Sequence, residues 1–348
     1  MNWKELISTF DSSTLIITSL SPAHLIKCEN PKAKLQIVDF AGPKILSLEN
    51  LNRQLKIAKA NGDFNEIFAI GGGTVSEVAK FISHETLTEL NQMPSVLSTD
   101  SPFCTSIAIR NFDHIDYRFL VEPKRICFDE DLLRLAPMYL NQLGLCDILS
   151  IITASNDWYI RELKRRGTLK CYDTDFVKKK KLIELARIIP EEIRLEMSSL
   201  REITPKSISI MINAFLREVY ICDVFGNASP EEGAEHYFAY TLEFIGGIRE
   251  VPHGILVLIG IYYILRIQEF MEYVDPERMI DSDSFIFFLR MIGLLGRLQI
   301  FVRENREIVE NCLYELKNYA KRYDTFLNFI KEDSYKAIIK QILKDSEL

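Results

Sequence analysis

The 348 residues correspond to about two domains of ordinary size. Acidic residues outnumber basic ones by 49 to 42, a formal net charge of −7, so there is no basic excess for binding nucleic acid or an anionic membrane. Hydrophobic residues make up 47% of the chain and charged residues 26%, a balance that excludes a disordered or fibrous protein. We therefore expect a globular protein without nucleic-acid binding or membrane insertion.

The start of the sequence and the pattern of its cysteines predict an intracellular protein. No basic segment followed by an apolar core opens the sequence, so we expect no signal peptide and a cytoplasmic protein. The longest apolar run, Gly254 to Leu265, is shorter than the ~20 residues needed to cross a bilayer and predicts a buried helix. Seven scattered cysteines without a CxxC pair are predicted to be reduced thiols. They are Cys28, Cys104, Cys127, Cys146, Cys171, Cys222 and Cys312.

The first part of the chain alternates between strand and helix patterns. Short apolar runs bounded by Pro, Gly or Asp predict strands. They are LIITSL (15–20), KLQIVDF (34–40), EIFAIGGG (66–73), PSVLST (94–99) and RICFDE (125–130). Helical spacing occurs over 46–61 and 75–84, as βαβ units with a parallel sheet require. We predict an α/β domain over residues 1–137.

Beyond Pro137 the patterns become long and helical. The predicted helices are 138–164, 178–200, 207–225, 233–245, 254–274 and a charged tail from Arg303 onward. Residues 138–348 are therefore predicted to form an all-helical domain.

The strongest local motif is IFAIGGGTVSEVAK, in which a buried strand leads into Gly71, Gly72, Gly73 and Thr74 and then into a helix. Glycines allow the backbone to approach phosphate oxygens, and the N–H groups at the helix start supply donors. A tight strand-to-helix turn needs only one or two glycines, so three favour a dinucleotide site, although the motif is not GxGxxG.

A hydroxyl-rich loop follows the predicted PSVL strand. It contains Ser98, Thr99, Asp100 and Ser101, a combination that taken alone is only a turn. Because ligands of open α/β sheets gather beyond the carboxyl ends of strands, these side chains could reach the same cofactor as the glycines.

Asp147, His236 and His253 in the helical half are metal-ligand types. Two histidines and a carboxylate with an open fourth position form a ligand set used by catalytic Zn²⁺ and by Fe²⁺. A lone histidine in an apolar helix is more often a core residue, and spacing alone cannot establish a metal site.

Over residues 13 to 265, these motifs resemble, in order, the glycerol-1-phosphate dehydrogenase and glycerol dehydrogenase branch of the iron-containing alcohol dehydrogenase and dehydroquinate synthase-like superfamily. The motifs are GGGT with Lys80 in the following helix, STDSP, GLCD with a later Asp157-Trp158, GAEH and PHG. The resemblance implies a dehydroquinate synthase-like fold, with an NAD(P)-binding α/β domain followed by an all-helical domain, and a homo-oligomer.

The resemblance also assigns roles to individual residues. It implies metal ligation by Asp147, His236 and His253, which are then catalytic, with Asp100 near the substrate. It implies cofactor contacts at the three glycines and at the STDSP loop, where we assign Ser98, Thr99 and Ser101 to the cofactor together with Thr74.

These roles predict a metal-dependent NAD(P)H oxidoreductase acting on a small phosphorylated or polyol ketone, most simply dihydroxyacetone phosphate, to give sn-glycerol 1-phosphate. The sequence departs from the family at Glu77, Cys146, Ile151 and Tyr240, and no acid follows the first strand until Glu29, which leaves NAD or NADP open. Tyr240 is a candidate for the proton relay.

Two alternatives stay open at this point. One is a dehydroquinate synthase-like sugar-phosphate cyclase with retained NAD, against which Asp147 argues because such cyclases carry glutamate there. The other is a non-enzymatic descendant that has kept only the fold.

Overall fold

The computed structural model describes residues 2–39, 46–170, 173–271, 280–346 and 348. The chain forms two compact units, one of residues 1–141 with 203–205 and one of residues 142–202 with 206–348. The boundary predicted after residue 137 remains a prediction about domains. Cys171 and the predicted helix end at 272–274 lie outside the described residues.

The first unit is built on a parallel sheet. Its strands are β1 (Thr14–Thr18), β2 (Lys34–Ile37), β3 (Glu66–Gly71), β4 (Glu89–Pro94), β5 (Ile107–Arg110), β6 (Ile115–Arg118) and β7 (Arg125–Ile126). Five of them form a sheet in the order β2-β1-β3-β4-β7 with every pair parallel, and β5 and β6 form a separate antiparallel pair.

The helices of this part are α1 (Trp3–Ser8), α2 (Leu20–Glu29), α3 (Leu48–Ala60), α4 (Gly73–Thr86), α5 (Glu130–Arg134) and α6 (Met138–Gln142). Of these, α2, α3 and α4 connect successive strands from β1 to β4. The predicted α/β architecture is confirmed, because parallel neighbours require crossover connections such as these helices.

Both faces of the sheet are buried, which explains its continuous apolar strands. Leu15 and Ile67 pack in one apolar cluster with residues of α3 and α4. Ile16 and Phe68 point to the opposite face, in a second cluster with residues of α1 and α2. This alternation is the period-two pattern of a strand.

The strand predicted over 94–99 is wrong. The strand is β4, which ends at Pro94, and residues 95–100 form the loop that follows. The pattern was hidden because β4 carries buried Asn91 and Gln92, which form side-chain hydrogen bonds inside the protein. Asn91 donates to Glu66 Oε1 at 2.8 Å, and Gln92 Oε1 accepts from Ser76 Oγ at 2.6 Å.

The second unit contains long helices, as predicted. They are α7 (Leu145–Arg166), α8 (Thr174–Leu195), α9 (Pro205–Phe225), α10 (Ala234–Phe244), α11 (His253–Phe270), α12 (Ser282–Ile292), α13 (Leu295–Glu304), α14 (Arg306–Ala320) and α15 (Glu332–Lys344), with 3₁₀ turns at Ser199–Arg201 and Phe326–Phe329. The helix predicted over 138–164 is two helices, α6 and α7, which break at Leu143 and Gly144.

Among the described residues, α11 is long and apolar enough to cross a membrane, but 72% of that span is buried inside the protein. A further span would require α12 and α13 to act as one across a bend of 109°. The apolar run from Gly254 is thus a buried helix, as the sequence predicts.

Candidate functional site

The glycine motif forms the turn between β3 and α4. Gly71 ends β3, and Gly72 caps α4 with extended backbone angles. The N–H groups of Val75 and Ser76 donate to the carbonyl of Gly72 at 3.0 and 3.1 Å. The positive end of a 14-residue helix therefore lies at the carboxyl edge of the parallel sheet, where anions bind favourably.

Close packing requires these glycines. A Cβ added at Gly71 would lie 2.5 Å from Val75 Cγ2, and one at Gly73 would lie 2.5 Å from Thr99 Cγ2. The carboxyl ends of β3 and β4 are neighbours, with Gly71 in register with Pro94. The structure therefore brings the hydroxyl loop against the glycine turn.

Hydroxyl groups of this loop bond to its own residues and to α4. Thr99 Oγ1 donates to Asp100 Oδ1 at 3.2 Å, and the Cys104 thiol donates to Asp100 Oδ2 at 2.7 Å. Ser101 Oγ donates to Glu77 on α4, and Lys80 Nζ lies 3.1 Å from the same carboxylate. Ser101 thus anchors the loop to α4.

Asp147 and His236 lie together in the second unit. Asp147 is in the first turn of α7 and His236 in the first turn of α10, and both are buried. His236 Nε2 is 3.8 Å from Asp147 Oδ1 and 3.9 Å from Glu231 Oε1. The ligand atoms of these three residues all lie within 4.8 Å of one another.

Sequence reasoning missed Glu231. It lies five residues before His236, in the acidic PEEGAEH segment, and follows neither a helical period nor a ligand spacing. The only signal was the concentration of carboxylates before the GAEH motif.

Glu235 fixes the orientation of His236. Its Oε1 is 3.1 Å from His236 Nδ1 and accepts the N–H of Gly233 at 2.6 Å, while its Oε2 accepts the Thr153 hydroxyl at 2.7 Å. With Nδ1 held in this way, Nε2 faces Asp147 and Glu231. A carboxylate behind a histidine is the arrangement that orients metal-binding imidazoles.

His253 opens α11 near this group but is not one of the three clustered residues. Its ring centroid is 5.7 Å from that of His236, and it stacks on Tyr240 with centroids 5.8 Å apart. Its Nδ1 is 3.0 Å from Glu243 Oε1, so the second histidine also has a carboxylate on α10 behind it.

Glycines allow the helices that carry these side chains to approach closely. A Cβ at Gly260 of α11 would overlap the carbonyl oxygen of Glu235 on α10. A Cβ at Gly254 would lie 2.7 Å from the carbonyl oxygen of Leu143 and 3.2 Å from Cys146 Sγ, next to Asp147. Small residues thus bring α11 against α10 and against the start of α7.

The charge of this cluster suits a cation. Burial opposes ionisation of Asp147, but the attraction of the nearby His236 imidazole and the hydrogen bond from the Cys146 thiol outweigh it, so the Asp147 pKa lies below its usual 3.8. Burial likewise opposes protonation of His236, but the negative charge of Asp147, the hydrogen bond to Glu235 and the charge of Glu231 hold the His236 pKa well above 6.5.

The distances also suit a cation. Zn²⁺ binds nitrogen and oxygen at about 2.0–2.2 Å, so ligand atoms on one ion are separated by at most about 4.4 Å. The separations of 3.8 and 3.9 Å around His236 Nε2 are within that limit. The residues therefore fit a divalent metal ion.

Other positions of the motifs have structural roles. Asp157 is buried, and it accepts the N–H groups of Ala234 and Phe326 at 3.2 and 2.7 Å and the hydroxyl of Thr325 at 2.8 Å. Burial raises the pKa of Asp157 to about 6, against the opposing charge of Arg161. Asp157 therefore ties α7 to the start of α10 and to the turn before 326.

Comparison with solved structures defines the fold class. No family model matches the sequence. The structure is similar to a probable glycerol dehydrogenase from Sinorhizobium meliloti, with a TM-score of 0.66, 16% identity and coverage of 98% of this chain and 93% of that one. It is also similar to 2-deoxy-scyllo-inosose synthase, with a TM-score of 0.63, 16% identity and coverage of 97% and 94%. An iron-containing alcohol dehydrogenase matches with a TM-score of 0.55, 16% identity and coverage of 99% and 94%. The fold is therefore the dehydroquinate synthase-like fold predicted from the sequence.

The curated relatives found by sequence belong to a narrower class of enzyme than the proteins of similar fold. Glycerol-1-phosphate dehydrogenase (NAD(P)+) of Sulfurisphaera tokodaii is 25% identical over 232 residues, which cover 65% of this chain and 62% of the relative. The enzyme of the same name from Sulfolobus acidocaldarius is 26% identical over 206 residues, which cover 59% and 55%. The chain spans about three fifths of the length of these relatives. The predicted resemblance to the glycerol-1-phosphate dehydrogenase and glycerol dehydrogenase branch is confirmed.

Proposed function

We propose that this protein is a metal-dependent NAD(P)H oxidoreductase that interconverts a small phosphorylated ketone and its alcohol. The observation that carries the proposal is the buried cluster of Asp147 and His236, with both of the histidine's nitrogens facing carboxylates. The names of the sequence relatives support dihydroxyacetone phosphate and sn-glycerol 1-phosphate as the substrate pair. We further propose a cytoplasmic homo-oligomer.

Asp147, His236 and His253 would hold a Zn²⁺ or Fe²⁺ ion. Glu235 and Glu243 keep the Nδ1 side of each imidazole occupied, so that the Nε2 side is the one available to a ligand. Two proteins of similar fold support a metal and a nucleotide, since one is an iron-containing alcohol dehydrogenase and the other is a 2-deoxy-scyllo-inosose synthase solved with NAD+ and Co²⁺.

The glycine turn would hold the NAD or NADP pyrophosphate. Gly71, Gly72, Gly73 and Thr74 offer backbone N–H groups at the start of α4, and the Ser98–Thr99 hydroxyls lie beside them. Ser101 acts through Glu77 and keeps the loop in position.

When bound, the ion would polarise a substrate oxygen and the nicotinamide would exchange a hydride with the substrate carbon. The protein's part is to hold the Asp147 carboxylate ionised and the His236 ring oriented. Tyr240 stacks on His253, and its ring also lies beside that of His236. Because it lies next to both imidazoles, Tyr240 is our candidate for the residue that transfers a proton. Asp100 is assigned to the substrate.

The test is His253→Ala, compared with wild-type protein for metal content and for NADH oxidation in the presence of dihydroxyacetone phosphate. We expect the substitution to abolish both together, because two remaining ligands of the predicted set hold an ion weakly. Unchanged activity in this variant would rule out the metal role of His253.

A cyclase is the second candidate, since a 2-deoxy-scyllo-inosose synthase has the same fold with a similar TM-score. A cyclase that retains its NAD oxidises and then reduces its substrate, so it shows no net change in NADH over turnover. Substrate turnover without NADH consumption would therefore favour the cyclase.

A further inference from the structure

The side chain of Glu231 faces the predicted metal site although neither motif spacing nor family resemblance assigns it there. Its Oε1 is 3.9 Å from His236 Nε2, on the same nitrogen that faces Asp147. We propose that Glu231 is a further protein ligand of the metal ion, so that the resting site contains two carboxylates. This inference rests on the metal site of the proposed function.

The backbone around Glu231 holds it in place. The N–H groups of Glu231 and Glu232 both donate to the carbonyl of Ala228, at 2.9 and 2.6 Å, in the turn that precedes α10. Gly233 then begins the approach to α7, where a Cβ would lie 2.9 Å from the Cα of Ala154. Glu231 is thus set by a defined turn beside a tightly packed helix start.

The two oxygens of Glu231 face different groups. Oε1 faces His236, whereas Oε2 is 4.0 Å from the thiol of Cys222 on α9. This division leaves Oε1 directed at His236 Nε2, where the ion would bind, and Oε2 directed at a weak donor. The side chain of Glu231 is only 12% exposed, so the carboxylate faces the cluster rather than bulk water.

A fourth protein ligand changes the resting coordination. Asp147, His236 and His253 alone leave one position of a tetrahedral ion open, as catalytic Zn²⁺ sites do. Glu231 would occupy that position before substrate arrives, and substrate would have to displace it or add to it. A second carboxylate also shifts the ligand set toward oxygen, which suits harder cations.

The experiment is Co²⁺ titration of metal-free protein, followed by visible absorption, for wild type, Glu231→Gln and Glu232→Gln. Glutamine keeps the shape of residue 231, and Glu232→Gln removes the same charge one residue away. We expect Glu231→Gln to weaken Co²⁺ binding at least tenfold, the lower end for losing even an outer-shell partner, and to change the spectrum. Glu232→Gln should retain the wild-type spectrum.

Each outcome bears on a different claim. A Glu231→Gln protein with the affinity and spectrum of wild type overturns the inference and leaves the metal site standing. Equal losses in both variants would show a general charge effect and also overturn it. Failure of wild-type protein to bind Co²⁺ would contradict the metal site of the proposed function itself. Circular dichroism of each variant, together with Glu231→Ala as a second substitution, separates lost ligation from lost folding.

Discussion

At the scale of single residues, the orientation of each candidate histidine ligand depends on a carboxylate. That carboxylate contacts the Nδ1 atom of the imidazole, on the side away from the predicted metal ion. Glu235 is fully buried and accepts from Gly233 and Thr153 while facing His236 Nδ1. Glu243 has the matching position behind His253. Glu235 and Glu243 therefore determine that Nε2, rather than Nδ1, is the imidazole nitrogen available to a metal ion.

Glu235→Gln should weaken metal binding about 10- to 100-fold, because it removes the charge that orients His236 while keeping the side-chain shape. Competition with a chromophoric chelator measures the change. Glu243→Gln is the matched variant for His253, and it should show a comparable loss if both histidines bind the ion. Wild-type affinity in Glu235→Gln would contradict the role we give to this carboxylate.

The raised pKa of Asp157 predicts a pH dependence of stability. Its pKa is about 6 in the folded chain, above the usual 3.8, so the folded state holds the proton over a pH range where the unfolded state has lost it. The contribution of Asp157 to the free energy of unfolding therefore falls as pH rises from about 4 to about 6, by about 3 kcal/mol in total.

Asp157→Asn should remove this dependence. The free energy of unfolding of wild type, measured relative to the variant by urea denaturation of chelator-treated protein, should fall by about 1 kcal/mol between pH 5 and pH 7. A constant offset between the two proteins is expected from the altered hydrogen bonds with Thr325 and Phe326. A difference that stays constant with pH would contradict the raised pKa.

At the scale of elements, helix contact in the second unit depends on glycine. Gly260→Ala should cost about 1–3 kcal/mol of stability, because the added Cβ meets the backbone carbonyl of Glu235, which cannot move without moving α10. The same substitution should also lower the affinity for metal, because a displaced Glu235 no longer orients His236.

Gly296→Ala is the control for that substitution. Gly296 lies in α13 with open space around its Cβ position, so alanine there should be neutral or stabilising by up to about 1 kcal/mol. Thermal unfolding of both variants compares them directly. Equal stability of the two variants would show that the close approach of α11 to α10 is not required.

The elements also show which sequence patterns are informative. β1 and β3 were predictable because their apolar residues are continuous and both faces are buried. β4 was placed too late in the chain because its buried Asn91 and Gln92 form hydrogen bonds that composition cannot reveal. A polar residue inside a sheet resembles a loop residue until its partner is known.

The same limit applies to the candidate site. Asp147, His236 and His253 could be named from ordered motifs, but Glu231 could not, since the turn that directs it depends on contacts with Ala228 and α9. The pairing of His253 with Glu243 likewise joins two helices across ten residues of sequence. Tertiary contacts, rather than local pattern, complete the site.

At the scale of the whole molecule, the chain combines an α/β unit that contains the glycine turn between β3 and α4 with a helical unit that holds the cluster of Asp147, Glu231 and His236. The net charge of −7 gives no general attraction for an anionic substrate, so recognition of the phosphorylated ketone that we propose would have to come from local groups. The proposed function therefore depends on two local sites, the glycine turn for the nucleotide and the cluster around His236 for the metal ion. An assay must show that the reaction requires both the nucleotide and the metal.

The most direct measurement is NADH oxidation by protein reconstituted with Zn²⁺ or Fe²⁺, with dihydroxyacetone phosphate, dihydroxyacetone and other ketones supplied in turn. We expect dihydroxyacetone phosphate to consume NADH or NADPH, with the activity lost on chelation and restored by metal. Metal binding without NADH or NADPH consumption for any ketone would contradict the oxidoreductase proposal.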